Sequence, residues 1–96
     1  MHAIFAAEKA IQEKLPAIVN RHRESGHLTW RLLHQIEAEV LAELSSSGRH
    51  APMVISMLRS SELMGYPRDD SPASLEGHDV VPVAFAAIVN AWGTLN

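Results

Sequence analysis

VVPVAFAAIVNAW, residues 80–92, has one polar side chain, Asn90, in a run that is otherwise apolar. At about 1.5 Å per helical residue the run is too short for a bilayer core of about 30 Å. A helix greasy around its whole circumference has to be enclosed by its own chain or by a partner. The remaining sequence is therefore read for elements able to enclose it.

Those elements are amphipathic helices. Over residues 3–24, Ile4, Ile11, Leu15 and Ile18 recur at steps of three, four and seven, with Ala7 on the same side. Pro16 falls inside this pattern and removes a backbone donor, which predicts a kink or a break. Over residues 29–47, Thr29 suits an N-cap, Leu28 and Leu33 occupy the staple positions, and Leu33, Ile36, Val40 and Leu44 form one stripe beside Trp30 and Leu41. The short interval between these segments predicts an antiparallel helical hairpin. A third helix is expected over residues 52–64, with Val54, Met57 and Leu58 inward, and a fourth over residues 80–93.

Glycines at 26, 48, 65, 77 and 93 each follow a helix-like stretch, where left-handed C-terminal stops belong. Residues 65–79 read as a long polar connection, in which Ser71-Pro72 suits the start of one helical turn. No strand pair is legible, because Pro82 interrupts the β-branched run at 80–83. The fold class expected is all-α: a small four-helix bundle, one domain over residues 1–96.

Composition narrows the function classes. With 47% apolar and 20% charged residues the chain is not of the disordered kind. It has no cysteine, so neither disulfides nor a cysteine-bearing zinc site can stabilise it. The N-terminal residues lack the basic-then-apolar order of a signal peptide, and no membrane span is expected, which makes the cytoplasm the default compartment. A net charge of −3 with dispersed Lys and Arg gives no phosphate-tracking footprint, so nucleic acid is not an expected partner.

Three polar residues stand out. Glu37 lies among Trp30, Val40, Leu41 and Leu44 on the apolar side of the second helix, where an isolated carboxylate would lose several kcal/mol of hydration. A hairpin turning about residue 26 sets Glu37 opposite Leu15, beside Lys14, and sets His22 near Trp30. A structural pair with Lys14, or a rim position kept wet, is the plain reading of Glu37, and partner contact or catalysis the sharper one. His22 reads as a packed, hydrogen-bonded histidine, with a pH-sensitive role as its alternative. His34 and Glu37, spaced i,i+3, share a helical face, yet no second pair joins them to make a di-metal bundle site. No catalytic triad, phosphate loop or zinc motif is present, and no cofactor is implied.

What remains is surplus apolar surface. Met53, Met57 and Met64 with Phe85 and Trp92 form the expected interaction surface, and methionine adapts to varied partners. The expected function is non-enzymatic: binding of a protein partner or of a second copy, most simply as a homodimer. A DNA-binding regulator using the helices around residues 29–64, with Arg49, Arg59 and Arg68 on phosphates, is the competing class.

Overall fold

The computed structural model describes residues 3–58, 65–78 and 80–94. Four α-helices occur among them: α1 (Ala3–His22), α2 (Trp30–Ser46), α3 (Pro52–Leu58) and α4 (Val83–Thr94), with a 3-10 turn at Arg23–Ser25. α1 packs on α2, α3 and α4, while α2 packs on α3 and α4. This is the all-α bundle that periodicity predicts. The side chain of Ile4, and Arg59 and Met64 within residues 59–64, lie outside the described residues.

The stripes become the core. Ala7, Ile11, Leu15, Ile18 and Val19 of α1 meet Leu33, Ile36, Val40, Leu41 and Leu44 of α2, with Ala84, Phe85 and Ile88 of α4. Fully burying one such Leu, Ile or Phe side chain stabilises by about 1.5–3 kcal/mol. On α3 the inward pair is Ile55 and Leu58, with Val54 half-buried, so Met57 turns outward against the sequence expectation. The seven apolar or small residues of α3 leave its facing undetermined by pattern, and packing on α1 and α2 selects it.

Three expectations at the C-terminal helix are corrected. α4 begins at Val83 and not at residue 80, because a residue before proline is pushed to extended backbone. It is not enclosed all round: Val83 is 42% exposed, and Ala86 and Asn90 face outward. Alanine exposes little apolar area, so this side tolerates water where a leucine would not. Gly93 lies within α4 and is not a left-handed stop, whereas Gly26, Gly48, Gly65 and Gly77 all adopt positive φ.

α1 runs unbroken through Pro16. Gln12 and Pro16 both face outward, so the carbonyl that loses its donor can be hydrated. α1 and α2 are antiparallel, but their register differs from a hairpin turning at residue 26. His22 lies against Glu39, not Trp30, and Lys14 lies near Ser47, Arg49 and His50. The shift from position 30 to position 39 is about nine residues, or about 13 Å along the axis. Lys14 is therefore removed from Glu37, and the structural pair expected between them is not formed. The first two turns of α2 project past the end of α1, leaving a gap that another segment has to fill.

Replacing Pro16 with Ala restores the missing amide at an exposed position. We expect Pro16→Ala to stabilise the protein by about 1–3 kcal/mol, read as a higher thermal midpoint with an unchanged helical spectrum. An unchanged or lower midpoint would show that α1 is strained elsewhere.

Candidate functional site

The segment that fills the gap is the polar connection, residues 65–78. It lies as an extended strap along the start of α2. Thr29 pairs with Pro72 as an isolated antiparallel bridge, and the Ala73 amide donates to the Leu28 carbonyl at 2.9 Å. The helical turn expected at residues 71–75 does not form, because these backbone groups are engaged sideways with residues 28–31.

The strap completes the N-terminus of α2. The leading amides of a helix have no partner within it and need one from elsewhere. The Trp30 amide donates to the Ser71 carbonyl at 3.0 Å and the Arg31 amide to the Asp69 carbonyl at 2.9 Å. The Leu32 amide donates to Thr29 Oγ1 at 3.2 Å, the N-cap bond that the sequence predicts. Asp69 shapes the strap itself: the Ser71 hydroxyl and the Ser71 amide both donate to its Oδ1. Those two bonds, hydroxyl first, hold the Asp69 carboxyl below its ordinary 3.8 against a smaller opposing desolvation, with the Arg31 guanidinium contributing least. Arg31 also pairs with Asp70 at 3.2 Å, but both groups are exposed, so the pair contributes little.

Beneath the strap sits a ring cluster. Trp30 and Tyr66 are 5.4 Å apart by ring centroid, Tyr66 and Phe85 5.2 Å, and Tyr66 and His78 4.7 Å. His34 meets Phe85 edge-on at 5.1 Å and its Nε2 donates to the Pro67 carbonyl at 2.8 Å. The Tyr66 hydroxyl donates to the Val80 carbonyl at 2.7 Å, which ties the start of the strap to the approach of α4. Such ring pairs contribute about 0.5–1.5 kcal/mol each beyond their buried area. Tyr66, His78 and Asp69 escaped the sequence reading. Asp69 and Ser71, spaced as in an Asx turn, are the one signal that was available.

The residues singled out from sequence scatter over the molecule. Phe85 is fully buried and belongs to the core, not to an interaction surface. Trp92 is half-buried, with the Arg23 guanidinium 5.6 Å above its ring and donating to the Trp92 carbonyl at 2.6 Å. His22 Nε2 donates to Glu39 Oε2 at 2.6 Å, a partly buried pair that matches the packed-histidine reading. Glu37 is 4% exposed on the apolar side of α2, so it is buried and not a wet rim position. No buried side-chain polar atom among the described residues is left without a hydrogen-bond partner, so Glu37 is not an orphaned charge. Met53 and Met57 are 75% and 55% exposed, one turn apart on α3. Among the described residues, no group of three or more His, Cys, Asp or Glu is placed to hold a metal ion. No described helix is long and apolar enough to cross a membrane.

Fold and site thus define a small all-α bundle whose second helix is capped by a backbone strap and whose third shows methionine to solvent. Residues 2–96 match the family described as "Protein of unknown function (DUF2471)", and the chain belongs to that family. Neither the curated proteins nor the solved structures contain a match to it.

The Asp69 shift fixes the sign of a pH effect. A carboxyl with a lowered folded pKa stabilises above its ordinary value and loses that contribution as pH falls through the lower one. We expect Asp69→Asn, whose side-chain oxygen still accepts from Ser71, to flatten the loss of stability with acid below about pH 4. Urea unfolding at a series of acid pH values measures this. Parallel curves for the two proteins would remove Asp69 from the acid response.

Proposed function

We propose that this is a small, non-enzymatic regulatory protein that acts by binding protein, a second copy of itself included, through the outward side of α3. The supporting observation is the exposure of Met53 and Met57, spaced i,i+4 on a helix whose Ile55 and Leu58 are already buried in the core. Removing one such side chain from water is favourable by about 1.5–3 kcal/mol, and the unbranched thioether fits partners of varied shape. Phe5, Val80 and Val83 add further exposed apolar area on α1 and around the start of α4. Glu37, His22 and His34 serve the interior in this reading, since each is tied into packing or a hydrogen bond. The cytoplasm is the compartment that suits a cysteine-free chain of this composition.

The described part of α3 turns Met53, Ser56 and Met57 to solvent, and a chain of net charge −3 with dispersed Lys and Arg is poorly suited to a phosphate backbone. Protein contact is therefore preferred over DNA contact. Light scattering coupled to size exclusion tests the self-association half. We expect a dimer at micromolar concentration for the natural chain and a monomer for Met53→Glu with Met57→Glu. A clean monomer in both would remove self-association and leave only a heterologous partner.

A further inference from the structure

The basic residues are dispersed along the chain, but the fold gathers three of them. Lys14, at the middle of α1, and Arg49 and His50, just past α2, line a solvent-open cavity of 480 Å³ together with Ala10, Glu13 and Ser47. The antiparallel register brings the middle of α1 to the end of α2, and Gly48, at φ +70°, turns the chain so that residues 49 and 50 face it. A left-handed residue is needed there, and glycine takes that conformation without strain.

An ordinary explanation for cations at this place is that they satisfy the carbonyl end of α2. The hydrogen bonds do not support it. Glu43, Leu44 and Ser45 carbonyls accept from the Ser47 amide, the Ser47 hydroxyl and the Gly48 amide respectively. Neither are the cations neutralised within the protein. Lys14, Arg49 and His50 take part in no ion pair with a carboxylate among the described residues. In a chain of net charge −3, two permanent cations and a histidine converge on one concavity against the single carboxylate of Glu13. A concave, low-dielectric wall focuses that local excess of positive charge.

We propose that this cavity binds a small phosphate monoester. Its volume lies in the range of small-molecule sites. The planar fork of Arg49 matches two phosphoryl oxygens, Lys14 supplies a point charge from the opposite wall, and His50 adds a further ring donor. Ser47 is already committed, donating to Leu44 and accepting from the Arg49 amide, and serves to hold the turn. Glu13 opposes a bare anion and accepts from a hydroxyl on the organic part of the ligand, which favours a polyol phosphate over inorganic phosphate. This inference is independent of the α3 surface and of self-association.

Titrating the full chain with glycerol 3-phosphate, inorganic phosphate and succinate, followed by amide chemical shifts, tests it. Saturable shifts centred on residues 10–14 and 47–50 are expected, with glycerol 3-phosphate binding more tightly than the other two. Arg49→Ala and Lys14→Gln should each weaken it about tenfold or more, while Arg21→Ala, on the exposed side of α1, should leave it unchanged. Shifts that do not saturate, that fall equally near Arg21 and Arg31, or that are strongest for succinate would overturn the proposal. Arg49 is exposed and Lys14 half-buried, and a preserved helical spectrum separates loss of binding from loss of fold.

Discussion

A buried helix end cannot leave its leading amides dry, and α2 begins inside the molecule with Trp30 almost wholly covered. Everything around residues 28–34 follows from meeting that demand. The strap donates no side chain to the task; it offers the carbonyls of Asp69 and Ser71, and Thr29 supplies the remaining acceptor. Once the strap lies there, Tyr66 and His78 are carried over Trp30 and Phe85, and the approach to α4 is fixed through the Tyr66 hydroxyl. One requirement for three acceptors thus ties the middle helix to the last one.

The elements themselves were legible because their signals are local. The stripe from Leu33 to Leu44, the cap at Thr29 and the glycine stops each act within a turn or two of chain, and they agree with one another. Register between helices is a different kind of quantity. Whether His22 meets Trp30 or Glu39 depends on how far the connecting residues travel along the axis, and no single residue reports that distance. The misplacement of Lys14 relative to Glu37 follows directly. The gathering of Lys14 with Arg49 and His50 was hidden for the same reason, since only the offset antiparallel packing makes neighbours of them.

The strap and α4 show two further limits of pattern. Ser71-Pro72 opens helices well, yet backbone pairing with residues 28–31 outcompetes a single isolated turn, which gains few bonds for the residues it fixes. In α4 hydropathy overstated the need for cover. Ala86 counts as apolar, but a methyl group exposes little area, so a nearly uniform apolar run still yields an inner side of Ala84, Phe85 and Ile88 and an outer side that meets water. Size, not polarity alone, divides that helix.

The fastening of the strap also bears on how this sequence can drift. Its key bonds use main-chain carbonyls and amides, which every residue except proline carries in full, so side chains such as those of Arg68 and Glu76 are free to change while the attachment persists. Tyr66, Asp69 and Ser71 are the exceptions, because their side chains do part of the holding. Relatives should therefore differ most in spelling along a segment whose path they share.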